Sequence, residues 1–456
     1  MHLAHAPLSF RGEQLRPGDP GYDDARRVFN GAIDRRPSLI ARCSDAVDVK
    51  AAIALARDAG LPLAIHGGGH SVAGHSVCDD GVMIDMRPMK RIDVDPATRT
   101  ARVEAGATWG EVDAATQAHG LAVTGGRVSD TGVVGLTLGS GSGWLERKLG
   151  FACDNLLELE LVTARGEVVR ASETENAELF WGLRGGSGNF GVVTALRFKL
   201  HPVGPLVLAG MLLFPRERAG EVLRAYRDFM RDAPDEVGGG FALICAPPEP
   251  FVPEPLRLQP VCGLILTYAG DLQEGERVLA PLRALRGLDL IQPMPYVAVQ
   301  RLLDPACPKG MQNHWTADFL AELPDEAIDT LVSHTAPSPL SQVIVVPGGG
   351  AIARLPDDAT AMGHRQAPWN VHYLSMWRDP KDTEANVAFT RAIAGDMKPW
   401  TTGGLYLNFI GNEGAARVQA AFGAAKYERL QALKDRWDPE NLFRSNHNIK
   451  PRREAP

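Results

Sequence analysis

The chain has 456 residues, 45% hydrophobic and 23% charged, a balance ordinary for a folded protein of two or three domains with a sizeable core. A formal net charge of −7 gives no support for nucleic acid or an anionic membrane as the main partner. Six cysteines without a CxxC pair argue against a metal site and a disulfide scaffold; with no signal-peptide core in Met1 to Arg11 and no membrane-length apolar run, a reduced, cytoplasmic protein is expected.

Residues 1–36 are polar and broken by Pro17, Gly18, Pro20 and Gly21, and read as a lead-in with a short helix near Asp23 to Phe29. From Pro37 the pattern sharpens. Leu39-Ile40-Ala41 reads as a strand, and Ser44-Asp45 as the cap of a helix whose Val49, Ala52, Ile53 and Ala56 share one face. Gly60 ends that helix, and the apolar run Leu61 to Ile65 leads into His66-Gly67-Gly68-Gly69-His70-Ser71. Residues 37–66 thus form a β-α-β unit that delivers three glycines to a loop. Glycine there lets the backbone approach a ligand, and successive N–H groups make a concavity suited to phosphate. Taken alone, the string also fits a solvated surface turn.

A strand over Val82 to Met86, a hairpin pairing Arg91 to Asp95 with Thr100 to Glu104, and a capping box Thr108-Trp109-Gly110-Glu111 follow. The stretch Thr124 to Trp144 is too glycine-dense for an ordinary element, and its small residues would let a flat ring lie against backbone. Strands over Leu157 to Thr163 and Glu167 to Ala171, then a helix over Ala177 to Leu183, precede the string Gly186 to Gly191. That string matches GxGxxG but follows a helix and opens a strand, the reverse of a dinucleotide fingerprint.

Beyond His201-Pro202, strand and helix alternate: strands near 206–214, 240–246 and 262–268, and helices near 217–231 and 274–285. The order suggests an antiparallel sheet with helices on one side. A strand over Gln342 to Val346, a helix over Glu384 to Met397, a strand over Gly404 to Phe409 and one helix from Arg417 to Trp437 complete the reading. In the middle segment, His314, His364 and His372 read as core or surface histidines.

The order of these pieces resembles the flavoproteins of the vanillyl-alcohol oxidase and p-cresol methylhydroxylase (PCMH) type, and most of all their berberine-bridge-enzyme-like branch. The residues that carry the resemblance are Arg36 to Arg42, His66 to Ser71, Thr131 to Leu145, Gly188 to Thr194, Tyr406 to Phe409 and Asp438 to Ile449. It implies an α+β fold: a two-subdomain FAD-binding domain at 37–204, an α+β substrate domain at 205–410 whose antiparallel sheet is covered by helices, and a C-terminal return at 411–456. It implies FAD attached through His70, with His66, Gly67, Gly68, Gly69 and Ser71 around the link. Val128, Ser129, Thr131, Gly132, Gly135, Leu138, Gly139 and Gly141 would line the flavin. Asp154, Asn155, Val193, Asn446 and Asn448 would support it. Tyr406 would contact the flavin and serve as catalytic base.

Two positions depart from the family pattern. Val128 stands where doubly attached members carry a cysteine, so a second link is excluded at that position. Phe409 replaces the second tyrosine of the YxNY motif. The expected activity is an FAD-dependent oxidase taking hydride from an alcohol, amine or sugar-like small molecule, with O2 as acceptor and H2O2 as product. A dehydrogenase using another acceptor and a flavin- or ligand-binding protein with little turnover are the alternatives.

Overall fold

The computed structural model describes residues 10–248 and 252–452. Strands Leu39–Arg42 and Leu63–His66 both run parallel to Val82–Asp85, and Glu13–Leu15 from the lead-in adds an antiparallel edge to Leu39–Arg42. The two strands of the β-α-β unit are therefore not neighbours, because Val82–Asp85 fits between them. All four residues of that central strand are buried, the near-continuous apolar run that a covered parallel strand requires. Helix Ala46–Asp58 crosses over with Val49, Ala52, Ile53 and Ala56 buried. Its first free N–H groups, on Val47 and Asp48, are taken by the Asp45 carboxylate at 2.8 and 3.0 Å.

A second sheet is antiparallel, in the order Ile92–Asp95, Thr100–Glu104, Val192–Lys199, Leu156–Val162, Val168–Ser172. Helix Trp109–Gln117 packs on it, with Trp109 fully buried and its ring 5.8 Å from that of Phe198. The capping box forms: the Thr108 N–H donates to the Glu111 carboxylate at 2.9 Å. Burying each such large side chain contributes about 1.5–3 kcal/mol.

The third sheet has eight strands, all antiparallel, with Leu206–Pro215, Pro260–Tyr268, Val237–Cys245, Gln342–Pro347, Trp369–Trp377 and Gln312–Leu320 in spatial order. Alternation along these strands divides the faces. Phe241, Leu264, Val345, Val371 and Tyr373 bury against helices Ala219–Met230, Leu272–Arg283, Asp325–Ser333 and Thr383–Asp396. Gly240, Ile265, Ile344, His372 and Leu374 look the other way, toward the glycine loops.

The C-terminal segment returns to the first two sheets. Helix Ala424–Trp437 carries Lys434, whose ammonium donates to Asp438 at 2.7 Å and to the carbonyls of Asn189 and Phe443 at 2.9 Å each. Burial pulls the Lys434 pKa down, against the opposing charge of Asp438. Asn189 in turn accepts the Ile449 N–H at 2.9 Å, so residues 443–449 are tied to the loop at 186–191.

Three sequence expectations are corrected. The glycine-dense stretch contains a short helix, Val133–Leu138. The helix expected from Arg417 to Trp437 is two, Ala415–Phe422 and Ala424–Trp437, broken at Gly423 with φ +76°. Residues 404–409 form no strand: Leu407–Phe409 is a single 3-10 turn, because Tyr406 and Asn408 make tertiary hydrogen bonds in place of a ladder.

Lys434 and Asp438 are both 0% exposed. Asp438→Ala leaves an ammonium buried without its counter-charge and is expected to destabilise the fold by about 3–5 kcal/mol. Thermal melting checks this, with Arg27→Ala, which breaks a surface pair to Asp24, as a control that moves the midpoint little.

Candidate active site

A cavity of about 320 Å³ is lined on one side by the glycine loops and on the other by the open face of the eight-stranded sheet. Its floor depends on backbone meeting backbone. A Cβ on Gly68 would fall 2.2 Å from the Gly132 nitrogen, and one on Gly132 would fall 2.4 Å from the Gly68 nitrogen. Neither contact can relax without moving main chain, so both positions require glycine. Gly69, at φ +71°, turns the chain so that His70 lies at the end of the loop.

The His70 ring stacks on Phe29 with centroids 4.7 Å apart, and its Nε2 lies 2.6 Å from Asp130 Oδ1. Lys309 reaches the other oxygen of Asp130 at 2.7 Å. Burial works against the Asp130 charge, but hydrogen bonds and charge from His70 and Lys309 outweigh it and hold this carboxyl well below its usual range. An N–H on Nε2 donated to Asp130 leaves Nδ1 as the lone-pair nitrogen of the ring.

Tyr406 is buried at the far side of the same cavity. Its hydroxyl oxygen accepts the Ser142 N–H at 2.7 Å and the Asn408 side-chain amide at 3.1 Å, which leaves its own proton free to donate. Burial pushes the phenol up to about 12, although both donors favour the phenolate. His372 also lines the cavity, with its ring stacked on Phe409 at 4.2 Å. Burial, then the charge of Arg127, pushes it down to about 3, so it is neutral near pH 7.

Of the residues singled out from sequence, Gly67, Gly68, Gly69, His70, Ser71, Val128, Thr131, Gly132, Gly135, Leu138, Val193, Tyr406 and Asn446 line this cavity. The remainder lie behind it. His66 is buried, and desolvation with the nearby Arg87 charge pushes it down to about 4. Ser129 donates its N–H and hydroxyl to Asp304 at 2.8 and 2.6 Å. Gly139 leaves room for Asn408, whose Oδ1 would lie 2.0 Å from an added Cβ, and Gly141 packs on Ala152. Asn448 lies away from the lining.

Asp154 and Asn155 have structural partners in place of the expected cofactor contact. Asp154 pairs with fully buried Arg365 at 2.5 and 2.9 Å. Asn155 donates to the carbonyls of Leu149 and Phe151 and meets His201 Nε2 at 2.7 Å. Sequence reasoning missed Asp130, Phe29, Trp315 and His447. Asp130 stood inside the glycine-dense stretch, where an acidic residue among small ones was a usable signal; the aromatic residues gave none.

The lining suits a large planar cofactor with a phosphate tail. The glycine loop offers main-chain N–H groups, and the walls beside Val128, Leu138 and Val193 are apolar. The buried Asn446 Oδ1, His372 Nε2 and Trp144 Nε1 have no partner within the chain. Orphaned buried groups of this kind are costly unless a ligand pairs them.

Comparison with known proteins agrees. Residues 37–172 match the family model described as FAD binding domain, and residues 405–450 match the model described as berberine and berberine like. The (R)-6-hydroxynicotine oxidase of Paenarthrobacter nicotinovorans is 32% identical over 470 residues, covering 98% of each chain. The crystal structure of 6-hydroxy-D-nicotine oxidase from Arthrobacter nicotinovorans superposes with a TM-score of 0.88 at 30% identity, over 98% of this chain and 99% of that one. A chitooligosaccharide oxidase shares the fold with a TM-score of 0.84 at 21% identity, over 97% and 98% of the two chains. The fold, the cavity and these matches together identify the chain as a member of the PCMH-type FAD-dependent oxidases, in their berberine-bridge-enzyme-like branch.

Proposed function

We propose that this protein carries one FAD attached covalently through His70 and oxidises an alcohol, amine or sugar-like small molecule with O2 as acceptor. The observation that carries the reading is His70 itself. It ends the Gly67–Gly69 loop, lines the cavity, and has one ring nitrogen engaged by Asp130 at 2.6 Å while the other is free. A neutral ring nitrogen is the nucleophile such a link needs. Val128 offers no thiol for a second link. Cys153 is fully buried and its thiol is pushed well above its ordinary range by desolvation, so it supplies no thiolate.

In this reading the chain divides into a lead-in at 1–36, an FAD-binding domain at 37–204, a substrate domain at 205–410 and a return at 411–456. Main-chain N–H groups of 67–71 hold the pyrophosphate, the residues from Val128 to Leu138 and Val193 flank the ring system, and Asn446 pairs a polar edge. Bound FAD supplies the two-electron chemistry, accepting a hydride from the substrate C–H and giving its electrons to O2 to form H2O2. The chain's own part is to exclude water, orient the substrate and manage its proton. Tyr406, with its free O–H, and neutral His372 are the two groups in reach of that proton. The six cysteines, all free thiols, fit a cytoplasmic setting.

Flavin should stay with the polypeptide after acid precipitation, and His70→Ala should release all of it. Flavin wholly in the supernatant of the unmodified protein, or covalent flavin in His70→Ala, would contradict the single link. Tyr406→Phe keeps the ring but removes the hydroxyl. It should slow anaerobic flavin reduction by about 10²-fold or more while the flavin remains attached. A loss under about fivefold would assign the proton to another residue.

A further inference from the structure

The sheet side of the cavity has a composition of its own. Five aromatic rings run in unbroken contact across it. Phe29 meets Trp315 at 5.5 Å, Trp315 meets Phe409 at 5.6 Å, Phe409 meets His372 at 4.2 Å, and His372 meets Tyr406 at 6.1 Å. The arc starts beside His70, on which Phe29 stacks, and ends at the Tyr406 hydroxyl.

Charge is nearly absent. Arg127 is the one formally charged side chain in the cavity lining among the described residues, and its guanidinium is engaged by Ser142, the Gly143 carbonyl and Glu146 at 2.9, 3.1 and 2.9 Å. An ammonium or carboxylate on the substrate would thus enter without a counter-charge. From the sheet face itself, only Gln342 and His372 bring polar side chains. Gln342 donates to the Ala306 carbonyl at 3.1 Å. His372, 3% exposed, has an Nε2 with no partner.

We infer that this half of the cavity binds a flat, uncharged aryl-alkyl alcohol, its ring against the Phe29–Trp315–Phe409 arc and its hydroxyl on His372 Nε2. The inference narrows the proposed oxidase reading and rests on it for the reaction, not for the binding. A hydroxyl can pair with Nε2 in either tautomer, accepting from an N–H or donating to the lone pair. A saccharide presents several hydroxyls to a wall that pairs one or two. Each one left unpaired is penalised by its lost hydration. Aromatic faces, by contrast, gain from an aryl ring at offset or edge geometry.

The test uses the holoenzyme and three probes: benzyl alcohol, toluene and xylobiose. Binding is read from perturbation of flavin absorption and from tryptophan fluorescence, since Trp144 and Trp315 line the cavity. Benzyl alcohol should bind about tenfold more tightly than toluene, and xylobiose more weakly than either. His372→Leu should erase the gap between benzyl alcohol and toluene while toluene binding persists, which also reports that the variant is folded. His372→Asn, which keeps a hydrogen-bonding group, should retain part of the gap. Xylobiose binding as tightly as benzyl alcohol, a gap that survives in His372→Leu, or no binding of either aryl probe would each overturn the inference. Aryl binding without flavin reduction by benzyl alcohol would instead contradict the proposed reaction and leave the substrate class standing.

Discussion

Everything that makes this cavity depends on two glycines meeting back to back. Gly68 follows a parallel strand, and Gly132 opens the short helix Val133–Leu138, yet the nitrogen of each sits where the other's Cβ would be. The contact joins the two loops into one floor. It also fixes the neighbours of each glycine: Gly69 and His70 on one side, and Asp130 and Thr131 on the other. The 2.6 Å approach of His70 to Asp130 is thus a consequence of main-chain packing that neither side chain could arrange alone. Hydrogen bonds from Trp109 N–H to the Thr131 carbonyl, and from Val133 N–H to the Ala107 carbonyl, anchor that floor to the second sheet.

The roof is governed by a different constraint. A strand has two faces, and in the eight-stranded sheet the helices cover only one. The uncovered face would be a large exposed apolar surface in isolation. Here the glycine loops and residues 405–410 and 445–447 lie against it, and the space they leave is the cavity. Its position follows from joining a floor that needs glycine to a roof that carries aromatics. The buried Lys434 cluster keeps the C-terminal segment closed over the edge.

Much of this was legible in the sequence where the signal is local. Asp45 caps its helix, Gly60 ends it, Glu111 closes a capping box, and the glycines at 67–69 enter the cavity wall, because capping and positive φ depend on residues a few positions apart. Legibility failed where the deciding partner is distant. Asp154 has the chemistry of a cofactor ligand, but its partner Arg365 lies 211 residues on. Residues 404–409 alternate like a strand, yet Tyr406 and Asn408 bond to Ser142 and Leu136 from the other end of the chain. The aromatic arc joins Phe29, Trp315, His372 and Phe409, which no sequence window contains together. Gly423 is the opposite case: the helix break at φ +76° had a local signal, and a long amphipathic pattern ran across it.

The central claim is that His70, among several histidines and a cysteine close by, holds the cofactor. Trypsin releases residues 58–90 as one peptide, because Pro88 blocks cleavage after Arg87, and that peptide contains His66, His70, His75 and Cys78. Tandem mass spectrometry of this peptide from the native protein reads the attachment directly. Fragment ions carrying the flavin mass at His70, with the other three side chains unmodified, are the result predicted. An unmodified peptide, or flavin on His66, His75 or Cys78, would contradict the account.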